Sequence, residues 1–491
     1  MLMNFYLSNS EFEFDIRNIF RIFDLNSKMI FKYTFKADED ELYIIINDQN
    51  IDDGYASVSL HKDGVELFAQ EGRTSDIEIE KTDEKKHKKV LIKKLVYECL
   101  SVYYDYKSSY GILSGIRPGK LLTQAHMFGL SENKVMNIMK ETYGVSDEKF
   151  DLLDDIYNIQ KKYIGIDNDS FYNLYIGIPF CPTKCTYCSF ISFARYEKHL
   201  VDEYVEILMK DVEQTIIMAR LKGLKLHTIY FGGGTPSVLS IKNIYDIFNK
   251  ISQYENIDDV TEVNFEAGRA DTINKELLEC LKDIGVDRIC INPQTMKQST
   301  LDLVKRNHTV EDVYRAYDLA KTVGFDSINM DLILGLPGEN KSDVENTMKS
   351  IVEMNPENIT IHTLAYKKGS KLYDLLKSFP ENENSLVDVA EVAKNYCIDN
   401  DYMAYYMYRQ KRIKDNLENI GYCKANKESI YNIIIIEEIE TILACGVGAA
   451  SKILLPNGKH KRISNYKSLT DYMDKINLNI EEKRDVLLAE G

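Results

Sequence analysis

The sequence predicts an α/β chain: a (β/α)6 core over 171–375, behind an α+β N-terminal domain (1–170) and ahead of a smaller C-terminal domain (376–491). Three observations predict it. Between residues 171 and 363, β-type apolar runs alternate strictly with segments of helical period, the order that yields parallel strands joined by right-handed crossovers. Before residue 170 the strand-like runs come first and the helical segments follow. Beyond about residue 375 the alternation weakens.

In chain order, Ile30–Phe35, Glu41–Ile46 and Ala56–Leu60 read as strands, punctuated by Asp52-Asp53-Gly54 and Asp63-Gly64. The period then changes. Val90, Leu91, Leu95, Val96, Cys99, Leu100 and Tyr103 recur at helical spacing within Lys85–Tyr104. Gly111–Lys120 is a loop opening onto further helices; Arg117 and Lys120 there serve either an anion or solvent. The core strands are Tyr172–Ile178, His227–Phe231, Glu262–Ala267, Arg288–Asn292, Ser327–Ile333 and Asn358–Thr363. Leu200–Lys222, Val310–Val323 and Asp343–Met354 are the clearest intervening helices. Further on, the aliphatic run Ile433–Ile436 reads as a buried strand, and Gly446–Ser451 as a packing loop with too few glycines for a nucleotide fingerprint.

The totals narrow the function classes. A chain of 491 residues holds two or three full cores. A formal charge of −16 disfavours a general nucleic-acid or anionic-membrane binder. The first residues show no basic stretch followed by an apolar core, so no signal peptide is read. No run approaches the roughly 18 apolar residues of a membrane span. Nine cysteines, three of them clustered, fit a reducing cytoplasm better than a disulfide scaffold.

That cluster carries the chemistry. Cys181, Cys185 and Cys188 follow C-x3-C-x2-C spacing directly after the first core strand. Three thiolates on so short a loop can hold three irons of a [4Fe–4S] cluster and leave the fourth iron open to a small molecule. A zinc site would need a further ligand pair, yet His199 is alone and Cys280 and Cys290 are single and distant. The remaining polar and glycine motifs fall at the carboxyl ends of the other strands, where β/α barrels place their chemistry. Gly232-Gly233-Gly234-Thr235-Pro236-Ser237 follows the second strand, and Glu266 closes the third. Gln294 follows the fourth, Asp331 lies late in the fifth and His362 late in the sixth. One rim loaded at every strand end is one site.

The cysteine spacing and its flanks resemble the radical S-adenosylmethionine (SAM) superfamily. The resemblance implies that the (β/α)6 core is a partial barrel, with SAM's amino and carboxylate groups on the open iron. An electron from the cluster then cleaves SAM to a 5'-deoxyadenosyl radical. It implies that Gly232, Gly233, Gly234 and Thr235 hold the methionine amino end and that Glu266 pairs with the ammonium. Gln294 would contact SAM, and Asp331 would reach its ribose region. Arg306 would meet the SAM carboxylate or form a surface salt bridge. Tyr187, inside the cysteine loop, and Tyr175, the tyrosine near the cluster, would be cofactor-side contacts.

Pro179-Phe180-Cys181, the glycine triplet with Thr-Pro-Ser, and Asp331–Gly338 together resemble the oxygen-independent coproporphyrinogen III dehydrogenase (oxidase) family. Gly111–Lys120, Glu266-Ala267-Gly268-Arg269 and Tyr405–Lys411 resemble its HemZ-type branch. This implies heme biosynthesis: two propionates of a tetrapyrrole oxidatively decarboxylated to vinyls, giving protoporphyrinogen IX, with an electron donor of the flavodoxin or ferredoxin type. Two positions depart from the dehydrogenase. Phe190 stands where it has a fourth cysteine, and Gly177 where it has a histidine. Phe190 also occurs in a related heme-trafficking branch, so a heme-binding chaperone is the rival reading. A radical enzyme on another tetrapyrrole or on RNA is a further one, with the acidic balance weighing against RNA. Arg409, Lys411 and Arg412 read either as clamps for propionates or as a solvent-facing basic helix.

Overall fold

The computed structural model describes residues 2–24, 27–34, 42–80, 83–115, 117–165, 168–194, 196–365, 372, 385–410, 417–456 and 458–489. Phe35, Glu41, Ile116, Lys411 and Arg412 lie outside the described residues. Backbone contacts divide the chain into two compact units, Met1–Asn158 and Ile159–Gly491.

The first unit is α+β. Strands β1 (Leu2–Tyr6), β2 (Lys28–Lys32), β3 (Leu42–Asn47), β4 (Tyr55–Lys62) and β5 (Val65–Arg73) form one sheet of order β2-β1-β3-β4-β5. Asp63 and Gly64, at φ 51° and 79°, make the two-residue turn between β4 and β5, the conformation that matches strand twist in a hairpin. Helix Glu84–Tyr104 buries Val90, Leu91, Leu95, Val96, Cys99 and Leu100, the stripe read from the sequence. Strands β1 and β5 and helix Glu13–Phe23 were not anticipated. β5 is an edge strand with little buried surface, so its sequence carries no apolar alternation to read.

The second unit is built on one eleven-stranded sheet. Strands β6 (Phe171–Ile178), β7 (Lys225–Gly233), β8 (Glu262–Gly268), β9 (Arg288–Ile291), β10 (Ile328–Leu334) and β11 (Asn358–Thr363) run parallel in chain order. The helices between them include Lys198–Leu221, Ile241–Ser252, Lys275–Asp283, Val310–Val323 and Lys341–Met354. This is the partial (β/α)6 barrel. Its strands are buried almost throughout, as parallel strands covered on both faces must be. Thr309 with Asp312, and Asn340 with Asp343, form reciprocal capping boxes that set where two of these helices start.

The sheet continues at both edges. Beyond β11 lie β13 (Asn419–Cys423) and β12 (Met403–Tyr408), paired antiparallel to each other. On the other side β14 (Thr441–Cys445) pairs parallel with β6, followed by β15 (Ala450–Leu454) and β16 (His460–Ser464). The strands of 403–464 thus belong to the same sheet as the barrel.

One expectation is overturned. Ile433–Ile436 is not a strand but lies inside helix Ile430–Glu437. β-Branched residues favour strands only weakly, and here a cap decides. Ser429 Oγ accepts from Asn432 N, and Glu262 of β8 accepts from Ser429 Oγ (3.0 Å), Ile430 N (3.1 Å) and Tyr431 N (3.0 Å). A carboxylate placed on the free amides of a helix's first turn stabilises that end. Glu440, buried at the start of β14, is likewise saturated, accepting from Asn173 Nδ2 (2.8 Å) and facing His227 Nδ1 (2.9 Å). Among the described residues no helix is long and apolar enough to cross a membrane.

Candidate active site

The cysteine loop leaves the carboxyl end of β6 and closes on itself. Phe193 N donates to Pro179 O (2.7 Å), Cys181 N to Phe193 O (3.0 Å) and Cys188 N to Cys185 O (3.2 Å). Residues after β7 and β8 and the end of helix Gln298–Leu303 hold it from three sides. Thr235, after β7, donates from Oγ1 to Cys181 Sγ (3.3 Å). Arg269, after β8, donates from Nη1 to Thr183 Oγ1 (2.7 Å) while its Nε and Nη2 fork onto Asp271 at 3.0 and 2.8 Å. Val304 O accepts from Thr186 N (3.0 Å). Cys181 and Cys185 are buried and Cys188 is half-buried.

Arg306 joins the same assembly. Its Nη1 reaches Tyr187 Oη (3.0 Å) and Cys185 Sγ (3.9 Å), and its Nη2 donates to Gly268 O (2.8 Å) and Asn292 O (2.6 Å). The surface salt bridge entertained for this residue is not formed: Arg306 is buried, and burial is matched by carbonyl, phenol and thiol partners. Its Nε has no hydrogen-bond partner among the described residues. No three His, Cys, Asp or Glu side chains among the described residues gather closely enough for a single metal ion. A four-iron cluster assigns each cysteine to a different iron, so its thiolates stand farther apart than the ligands of one ion. The donor set fits the cluster.

The glycine triplet is packed, not merely flexible. A Cβ at Gly234 would meet Phe180 O at 2.6 Å, Ile178 O at 2.9 Å and Cys181 Sγ at 3.1 Å. Its backbone instead donates to Ile178 O (2.7 Å), and Thr235 N donates to Phe180 O (2.8 Å). At Gly232 a Cβ would meet Tyr230 Cε1 at 2.8 Å and Glu266 Oε2 at 3.0 Å. Gly233 has φ 109°, open chiefly to glycine.

Glu266 lies directly beside this turn. Tyr230 Oη donates to its Oε1 at 2.5 Å. Burial pushes the Glu266 pKa up to about 7 against the pull of that bond, and the charge of Asp331 adds to the rise. Tyr230 is the middle ring of a stack, with Tyr175 at 6.0 Å and Tyr431 at 4.4 Å between centroids. Burial is also the main cause of the raised Tyr175 pKa, reinforced by Glu266, so the phenol stays protonated near neutrality.

Gln294 continues the fourth strand past Pro293 in a left-handed conformation, φ 70°. Its N donates to Asp331 O (2.9 Å) and its O accepts from Ile333 N (2.9 Å), which stitches it to β10. Asp331 accepts from Asn329 Nδ2 (2.7 Å) and faces His362 Nε2 at 3.7 Å. Burial would raise its pKa, but His362, Asn329 and Thr360 outweigh it and hold the carboxyl below the usual range. Tyr408 Oη in turn meets His362 Nδ1 at 3.2 Å. Arg409 is buried, at odds with a solvent-facing basic helix.

Sequence reasoning missed three contributors. Tyr230 was hidden inside a strand, Tyr431 lies just before the run Ile433–Ile436 that was misread as extended, and the loop after β14 was taken for packing. That loop, with Val447 and Gly448, lines a cavity of about 190 Å³ with Tyr175, Gly177, Phe190 and Gly233. The two residues that depart from the dehydrogenase pattern therefore face the same space.

Residues 175–351 match the family model of the radical SAM superfamily. Over 393 residues the chain is 35% identical to "Oxygen-independent coproporphyrinogen-III oxidase-like protein HemZ" of Bacillus subtilis, covering 78% of each chain. It is 32% identical to "Heme chaperone HemW" of the same organism over 41% of this chain and 53% of that one, about half the relative's length. Among solved structures, coproporphyrinogen III oxidase (HemN) from Escherichia coli superposes with a TM-score of 0.52 at 19% identity, over 65% of this chain and 72% of that one, which bears on the fold. This chain belongs to the radical SAM superfamily, in the oxygen-independent coproporphyrinogen-III oxidase-like family of HemZ, and its cofactors are a [4Fe–4S] cluster and SAM.

Proposed function

We propose that the chain oxidatively decarboxylates the propionates of coproporphyrinogen III to vinyls, yielding protoporphyrinogen IX in heme biosynthesis. The observation that carries this reading is the match, across 78% of both chains, to a relative named as oxygen-independent coproporphyrinogen-III oxidase-like. The rim supports it, since Cys181, the glycine triplet, Glu266, Gln294, Arg306 and Asp331 come together there. Cys181, Cys185 and Cys188 would hold the cluster. When bound, the two cofactors supply a radical able to abstract a propionate β-hydrogen. Gly232–Gly234 keep the backbone open to SAM's methionine end, with Thr235 behind them. Glu266 offers its carboxylate to the ammonium, a charge-assisted bond. Arg306 offers Nε to the carboxylate, Asp331 reaches the ribose, and Tyr175 and Tyr187 flank the cofactor. Residues 376–491 cover the substrate, and a flavodoxin- or ferredoxin-type protein supplies the electron. Nine free thiols support a reducing, cytoplasmic setting.

Anaerobically reconstituted protein with reductant, SAM and coproporphyrinogen III tests the proposal. Mass spectrometry should show 5'-deoxyadenosine and protoporphyrinogen IX rising together. One observation favours a second reading, a heme-binding chaperone: Phe190 stands in place of a thiol and is 68% exposed. One-to-one heme binding with neither product formed would favour it; deoxyadenosine alone would leave the radical chemistry and replace the substrate.

A further inference from the structure

Behind the rim cavity lies a buried polar cluster that no step above uses. Asp211 and Lys483, on helices Lys198–Leu221 and Leu469–Leu487, form an ion pair with both side chains at 0% exposure. Lys483 Nζ also donates to Thr215 Oγ1 (2.9 Å) and Ala444 O (3.4 Å). The second oxygen of Asp211 accepts from Tyr472 Oη (2.8 Å), Gly446 N (3.2 Å) and Asn465 Nδ2 (3.4 Å). Asn465 returns a bond to Gly446 O at 2.9 Å. Such a pair is retained only where its remaining donors and acceptors are satisfied, and here many of them converge on the residues leading into the loop after β14.

Tyr204 completes the joint. It is fully buried, and its hydroxyl donates to Gly177 O (2.5 Å) while accepting from Val447 N (3.3 Å). One hydroxyl thus bridges two walls of the cavity, the end of β6 and the loop after β14. Gly446 sits in the angle with φ 106°, where a Cβ would meet Gly177 O at 2.4 Å and Tyr204 Oη at 2.7 Å. Nothing larger than glycine fits there.

The geometry points to Tyr204 as a positioning residue: it holds the Gly446–Ala449 loop against Gly177 and thereby sets the width of the cavity that takes an edge of the tetrapyrrole. The choice of a tetrapyrrole rests on the function proposed above; the joint itself does not.

Tyr204→Phe keeps the ring and removes only the bridge. Hydrogen exchange of the peptide 445–450 in cofactor-free protein should quicken about tenfold, the loss of one hydrogen bond, with helix 198–221 unchanged. Quenching of coproporphyrin III fluorescence on the same protein should report about tenfold weaker binding. Ala449→Leu, which fills the cavity and keeps the Tyr204 hydroxyl, should weaken coproporphyrin III binding. Unaltered exchange in Tyr204→Phe overturns the joint. Faster exchange with unaltered coproporphyrin III binding overturns its role in setting the cavity. Wild-type protein that ignores coproporphyrin III while Tyr204→Phe exchanges faster keeps the joint and removes the tetrapyrrole reading.

Discussion

Glu262 and Glu266 stand on the same face of one strand, four residues apart, and lead opposite lives. At the amino end of β8, Glu262 accepts from Asn264 Nδ2 (2.8 Å), Ser429 Oγ, Ile430 N and Tyr431 N. At the carboxyl end, Glu266 has the Tyr230 hydroxyl at 2.5 Å and a pKa pushed up to about 7 by burial. A carboxylate whose lone pairs are met by protein donors is part of the framework. One enclosed with fewer donors, as Glu266 is with Tyr230 and the Gly233 amide, keeps its proton up to about pH 7, and in the function proposed above it is the partner of SAM's ammonium. The two ends of a parallel strand thus divide stability from function, and the division is open to test.

The largest effect belongs to the cysteine loop. Cys185→Ala should abolish both iron–sulfide incorporation and deoxyadenosine formation, with the melting temperature of the cofactor-free protein nearly unchanged. Next comes Glu262→Ala, which strands several donors and should cost about 3 kcal/mol in urea unfolding; SAM affinity of the folded fraction should hold. Glu266→Gln should do the reverse, weakening SAM binding by about 2 kcal/mol, or about 30-fold. The sign of its stability effect follows from the raised pKa. The folded state holds the proton more tightly than the unfolded one, so Glu266 favours folding at acid pH, and that contribution is lost as pH rises through about 7. Glu266→Gln should therefore raise the melting temperature at a pH above 7 and lose that advantage in acid. The smallest change is Tyr230→Phe. It removes the bond that pulls the Glu266 pKa down, so the pH at which SAM binding sets in should move up, with about threefold weaker binding at neutrality. A Tyr230→Phe profile identical to wild type would break the contrast drawn here.

Much of this was legible before any coordinates. The six parallel strands announce themselves because a strand buried on both faces needs an unbroken apolar run, and the crossover helices carry a different period. The cysteine loop and glycine triplet are legible because their spacing is the chemistry. What escaped was set by distant partners. Ile430–Glu437 is helical because Glu262, far back in the chain, caps it. β14 is a barrel-side strand because β6 has a free edge to offer. Arg306 was found, but its burial among carbonyls of two other strand ends was not foreseeable from Lys305-Arg306-Asn307-His308.

Gln294 has a consequence for how this site is maintained. Its left-handed backbone, φ 70°, is one that glycine adopts freely and a side chain resists by about 1 kcal/mol. Backbone geometry alone would select glycine there. Gln294→Gly should therefore relax the chain and leave the stitch to β10 intact, since both of its bonds are made by main-chain atoms. On the SAM contact proposed above, the side chain at this position is kept for chemistry at a small cost in durability. A screen for heat resistance alone would favour the loss of the Gln294 side chain.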